Sequence, residues 1–342
     1  MSLLARLWNM SKIFGHTVTR RQASPQQMCI RCLPALMLVA LTALGGCSST
    51  PEVGKVGIIA PFEGLYRNTG YGALDSVRQA ISDCAPADAN LVPLALDDSA
   101  QPFAAERSAR KMLVDPAVVG IIGPFSLDTL EAVTPHLAGG GPIWAYAAAV
   151  TREGALANTA GGLGWLSDLV VAIANRAASA GASSTIVAGV PPAWIAEVES
   201  DVDASAVEVP VRFRVGDLDL ADIGASEALI WLGEPHLAAV IADELASVQP
   251  DAAFWMGPSG GDPVFSARSQ IDGKRYWVSW VTPQYNSNVQ PAPGEVASQL
   301  TYAVTCRVLA EHYATSAVNQ PPLRIQAFRI DEDGNSVPLP EQ

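Results

Sequence analysis

Two short stretches set small polar groups directly behind a Gly-Pro step. In GIIGPFSLDTLEAV, Gly120 to Val133, an apolar run stops at Gly123-Pro124, and Ser126, Asp128 and Thr129 follow ahead of a helical pattern. Ser and Asp accept hydrogen bonds from the free N–H groups of a first helical turn, so helix capping is one reading. Capture of a ligand is the other, because unoccupied N–H groups at a helix start attract anions. One copy does not decide between them. A second copy lies in AAFWMGPSGGDP, Ala252 to Pro263, where Ser259 and Asp262 follow Gly257-Pro258. Two such corners at the carboxyl ends of strands can face one cleft, which favours ligand capture over capping alone.

Catalytic chemistry has little to work with. The chain holds no H-E-x-x-H, no G-x-S-x-G, no Walker loop and no G-x-G-x-x-G at a strand end, so no enzyme and no cofactor is expected. His136, His236 and His312 stand alone, without a cysteine or second histidine at metal-ligand spacing, and read as surface or capping groups. Asp97 and Asp98 end a strand before a Pro-started helix and read as turn and capping groups. Trp231, Trp255, Trp277 and Trp280 are core candidates, with Trp231 close enough to a strand end to line a pocket.

These corners need parallel strands and helices to hold them. KVGIIAPF, LVPLALDD, AVVGIIGPF and PIWAYAAA read as strands, separated by the helices GYGALDSVRQAISDC, AAERSARKMLVD and SLDTLEAVTPHLA. This alternation predicts a parallel α/β sheet with right-handed crossovers. It restarts with the helix WLSDLVVAIANRAASAG, the strands STIVAGV and EALIWLG, the helix HLAAVIADELASV and the strands AAFWMGP and KRYWVSWV. The predicted organisation is lobe 1 over residues 55–160 and lobe 2 over 161–282. A linker and a long helix, 283–320, return to lobe 1, and a C-terminal hairpin segment, 321–342, lies on lobe 2. A chain of 342 residues has enough apolar sequence, 49%, for two such cores.

The first 46 residues carry five basic and no acidic groups and end in LPALMLVALTALGG, so that Leu44 to Cys47 read LGGC. This is a secretory leader, with an apolar run too short for a permanent membrane span. Met28 would start a compact version of it, which puts Cys29 and Cys32 in discarded sequence. The LGGC ending resembles the bacterial lipobox, in which Cys47 carries the lipid and becomes the new N-terminus; residues 47–54 then form a tether. Two acyl chains anchor stably where one does not. Residues 47–342 hold 16 basic against 34 acidic groups, a net −18, which excludes nucleic acid and a polybasic membrane patch as partners. Of the mature cysteines, Cys84 and Cys306 read as separate buried small residues, although a bridge is permitted in an exported protein.

The mature chain resembles the type I periplasmic substrate-binding proteins of the branched-chain amino acid family. GIIAPFEGLYRNTG is similar to that family's opening, LDDSAQPFAAERSARKML to its Asp-Asp turn and Ala-rich helix, VVGIIGPFSLDT to its Ile-Gly-Pro-Phe-Ser corner, and FRIDEDGNSV to its closing hairpin. The resemblance implies a two-lobe fold in which hydroxyls and N–H groups hold a ligand carboxylate, while an acidic residue and an aromatic ring hold its ammonium. The implied lobe 1 positions are Tyr66, Thr69, Ser126, Leu127, Asp128, Thr129, Tyr146, Ala148 and Ala149. Glu234, Ser259 and Asp262 face them from lobe 2. Leu127 stands where the family often has a second serine, Ala149 where it has threonine, and Ser259 where it has glutamate. The implied function is a monomeric, exported, lipid-anchored solute-binding protein that delivers an amino acid or amino-acid-like ligand to an ABC permease. The alternative is an envelope lipoprotein that uses the fold as an interaction module regulating cell-wall synthases.

Overall fold

The computed structural model describes residues 53–137, 141–152, 163–216, 218–269, 273–282, 290–314 and 323–340. The leader, Cys47 and most of the glycine-rich NTAGGLG stretch lie outside these residues.

Strand β1, Gly54–Ala60, is apolar without alternation because both its faces are covered: Val56, Ile58, Ile59 and Ala60 are fully buried. It pairs in parallel with β2, Leu91–Asp97, from Gly54 against Leu91 to Ala60 against Asp97, and on its other side with β3, Val118–Ile122. With β4, Ile143–Ala145, the order is β2-β1-β3-β4. Helices α1, Arg67–Cys84, α2, Pro102–Leu113, and α3, Leu127–Leu137, make the connections. Pro102 opens α2, where a missing N–H costs nothing, and Arg110 and Lys111 sit in its last turn, where cations meet the negative end of the helix dipole. β4 covers only three residues of PIWAYAAA, because the chain leaves the sheet after Ala145.

The second sheet has seven strands. Its parallel part comprises β5, Ser184–Ala188, β6, Val211–Phe213, β7, Glu227–Trp231, β8, Ala253–Met256, and β9, Lys274–Val281. β10, Arg324–Ile330, adds to β9 antiparallel and β11, Ser336–Pro338, adds antiparallel to β10, giving the order β11-β10-β9-β8-β7-β5-β6. The helices here are α4, Leu166–Ser179, α5, Pro192–Asp203, α6, Pro235–Val248, and the short α7, Pro263–Arg268. The core of this sheet stacks Trp255 on Tyr276, with ring centroids 4.4 Å apart, and Trp277 on Phe328 at 4.0 Å.

Helix α8, Glu295–His312, returns to the first sheet and packs on α1, β3 and β4. Gly120 permits this: a Cβ there would lie 2.2 Å from Val308 Cγ1. Cys84 at the end of α1 and Cys306 in α8 form a disulfide with Cα atoms 5.4 Å apart. The expectation of two separate buried thiols is therefore corrected. The pairing arises because α8, more than 200 residues downstream, lies along α1, which no local pattern announces.

Candidate functional site

Among the described residues, the loops after six parallel strands open on one cavity of about 680 Å³. Pro61 follows β1, Asp98 and Ala100 follow β2, Phe125 to Thr129 follow β3, Ala147 to Ala149 follow β4, Leu232 to Pro235 follow β7, and Gly257 to Ser259 follow β8. The carboxyl ends of strands in open α/β sheets are where ligands bind, because helix N-termini and loop backbone converge there. Residues 292–295 and Ala297, Ser298 and Thr301 of α8 complete the wall.

Each corner is shaped locally. Gly70 lets the first turn of α1 close on the loop after β1, since a Cβ there would stand 2.1 Å from the Pro61 carbonyl oxygen. Gly123 has φ +101°, and a Cβ on it would lie 2.2 Å from the Ile59 carbonyl oxygen, so only glycine turns the chain here. Ser126 then caps α3. Its Oγ accepts from the Thr129 N–H at 3.4 Å and lies 2.7 Å from Thr129 Oγ1, and its carbonyl accepts from the Leu130 N–H at 3.0 Å. The capping reading of this motif therefore holds, and Ser126 lines the cavity as well.

Opposite, Asp262 occupies the N-cap of α7. Its Oδ1 accepts from the Val264 N–H at 2.8 Å, and its Oδ2 accepts from Thr69 Oγ1 at 2.5 Å, a bond that joins the two sheets' sides of the cavity. A second bond does the same. Tyr66 Oη lies 2.6 Å from His236 Nδ1, and the His236 backbone N–H donates to Tyr66 Oη at 3.4 Å. Burial holds the His236 ring below its usual pKa, while burial and then Glu234 keep the Tyr66 phenol well above its own. A neutral phenol thus meets a neutral imidazole.

The remaining polar groups are carboxylates. Glu234 sits at the N-cap position of α6 without capping it, and its carboxylate approaches the hydroxyls of Tyr66 and Ser126. Burial, and then the neighbouring Asp128 and Asp262, push its pKa up. Burial does the same for Asp128, in the first turn of α3, and for Asp262. Asp98 is 1% exposed, and burial raises it to about 7, with Asp97 and Glu234 adding to the effect. Asp97 differs: its Oδ1 accepts from the N–H groups of Phe62, Glu63 and Ser99, its Oδ2 from the Ser99 hydroxyl, and its pKa falls.

Eleven of the twelve positions implied by the sequence line the cavity: Tyr66, Thr69, Ser126, Leu127, Asp128, Thr129, Ala148, Ala149, Glu234, Ser259 and Asp262. Tyr146 does not. It is fully buried beside β4, in the core of the first sheet. Trp231 is no lining residue either, and its indole N–H donates to the Glu234 carbonyl at 3.3 Å. Asp98, read as a turn and capping group, does hold the Ala100 N–H of its turn, yet its place in the cavity wall was missed; His236, read as a surface or capping group, bonds to Tyr66 without lining the cavity. The α8 wall, which no local signal marks, was missed as well. Among the described residues, no group of three or more His, Cys, Asp or Glu side chains can hold a metal ion.

The backbone is similar to a leucine-binding protein LivK from Thermotoga maritima, with a TM-score of 0.64 at 13% identity over 84% of this chain and 98% of that one. A periplasmic binding protein type 1 from Bordetella pertussis gives 0.61 at 13% identity over 84% and 100%. This chain has the type I periplasmic-binding-protein fold. A solute-binding protein of an ABC transporter from R. palustris, in complex with benzoate, gives 0.61 at 16% identity over 83% of this chain and 95% of that one. No protein-family model matches the sequence, and no curated protein matches it significantly. At these identities the periplasmic-binding-protein fold carries over and the ligand does not. Among the described residues, no helix is long and apolar enough to cross a membrane.

Proposed function

We propose that this chain is an exported solute-binding protein, anchored through a lipid on Cys47, that captures a small organic ligand between its lobes as a monomer and passes it to an ABC permease. The observation that carries this reading is the cavity: about 680 Å³, within the range of small-molecule sites, walled from both sheets at the carboxyl ends of their strands. The Thr69–Asp262 and Tyr66–His236 bonds across it suit a hinge that closes on its cargo. The solute-binding proteins that share the fold support the same reading. The disulfide supports export, since such bonds persist in oxidising compartments. Native mass spectrometry of the purified protein tests the reading. A stoichiometric small molecule released on activation is the expected result, and a protein that carries none and binds none from a metabolite panel would favour the interaction-module alternative.

A further inference from the structure

Three helix starts at the cavity already carry protein groups where an anion would sit. At the start of α3 the Thr129 N–H is taken by Ser126, and Asp128 adds a negative charge in the first turn. The start of α6 carries Glu234 followed by Pro235, which has no N–H to offer. The start of α7 is capped by Asp262. A ligand carboxylate entering here would meet acidic groups where it needs donors, and like charges in a partly desolvated site cost affinity.

The balance of charge around the cavity runs the same way. Among the described residues, Asp98, Asp128, Glu234, Asp262 and Glu295 line it, and no Lys, Arg or His does. Asp98 is 99% buried, and its Oδ1 accepts from the Ala100 N–H at 2.9 Å. Among the described residues, none of Asp98, Asp128, Glu234 and Asp262 forms an ion pair with a basic side chain. A buried carboxylate without a basic partner lacks the counter-charge that burial demands. The acidic groups do not gather closely enough for a metal ion. They stand on separate elements, Asp98 after β2, Asp128 on α3 and Glu234 before α6, near enough for Glu234 to act on Asp98 and Asp128 on Glu234 yet not gathered at one point, which suits a counter-charge with two ends. Between them the wall is apolar, with Phe125, Leu127, Leu166, Leu169 and Leu232.

Resting on the capture reading above, we propose that the cargo is an organic dication without a carboxylate: two amino or guanidino groups joined by an apolar chain. One cationic end pairs with Glu234 and Asp128, the other with Asp98, and the chain lies along the leucine wall.

Isothermal titration of the intact protein with 1,5-diaminopentane, 1,8-diaminooctane, 1-aminopentane, leucine and benzoate tests the proposal. At least one diamine is expected to bind, 1-aminopentane at least about tenfold more weakly, and leucine and benzoate without measurable heat. Glu234→Gln and Asp128→Asn, each confirmed folded by circular dichroism, are each expected to weaken diamine binding by about tenfold or more. Leucine or benzoate binding more tightly than either diamine overturns the dication while leaving capture standing. So does a co-purifying ligand that carries a carboxylate, whereas a co-purifying diamine or bis-guanidine supports it. Diamine binding unaffected by both substitutions also overturns it. If no probe binds and nothing co-purifies, the dication and the capture reading fall together.

Discussion

The disulfide offers the most direct measurement of how the two sheets depend on one chain. Cys84 and Cys306 are 222 residues apart, and the loop they close contains the whole seven-stranded sheet except its two C-terminal strands. In the chain-entropy account the cross-link removes about 18 cal/mol/K from the unfolded ensemble for a loop of this length, or about 5 kcal/mol at 25 °C. Measured losses for native bridges run from about 2 to 5 kcal/mol, so Cys84→Ser/Cys306→Ser is expected in the upper part of that range. An unfolding entropy of about 2.1 cal/mol/K per residue over a mature chain of roughly 300 residues converts this to a fall of about 5 to 8 °C in Tm. The assay is differential scanning calorimetry of wild type with and without reductant, beside the double variant. Reduced wild type and the variant should melt together, below the oxidised protein. Two free thiols titrated in the unreduced native protein, or a variant melting within about 1 °C of wild type, would refute the reasoning.

Four further outcomes follow from the site and the leader. Because burial raises Asp98 from an ordinary 3.8 to about 7, with Asp97 and Glu234 facing it, the folded state holds a proton there that the unfolded state has lost. Its contribution to stability is full below the ordinary value and disappears as pH rises through about 7, so Asp98→Asn should match wild type near pH 4 and exceed it near pH 8 in urea midpoint. Ser126→Ala removes the α3 cap and should lower stability by about 1 kcal/mol by denaturant titration, with the m-value unchanged. Thr69→Val takes the donor from Asp262 Oδ2, a charge-assisted bond worth about 1.5 to 3 kcal/mol, and should open the ligand-free protein, read as a larger radius of gyration in solution scattering that Thr69→Ser does not produce. Cys47→Ser should abolish acylation and move the protein from the membrane to the soluble fraction on cell fractionation.

What the sequence could reveal depended on whether the cause was local. β1 and β3 were legible because a strand covered on both faces needs an unbroken apolar run, and Gly123-Pro124 marks where β3 ends. Helix α5 was given no element in the sequence although Trp194, Val198 and Val202 repeat at helical spacing, because Glu197, Glu199, Asp201 and Asp203 alternate with them and mask the apolar face. β6, three residues on a sheet edge, offers too little pattern to read. Within the cavity, Ser126, Asp128 and Asp262 were legible because helix starts select such residues for capping, and the carboxyl ends of parallel strands put helix starts in the cleft. Asp98 has the same residue type and a similar turn, yet its burial is imposed by elements distant in the chain, with Glu234 arriving from beyond the second sheet's first three strands. The cysteines failed for the same reason: only the return of α8 onto α1 brings them within bonding distance. Capping explains Asp262 at the start of α7, and the helix dipole explains Asp128 in the first turn of α3. Neither explains why Asp98, which holds the Ala100 N–H, and Glu234, which caps no helix, add to the same sign of charge with no basic residue among the described lining residues to balance them. That surplus is a property of the assembled cavity, and it is the part of the site that a bound cation would complete.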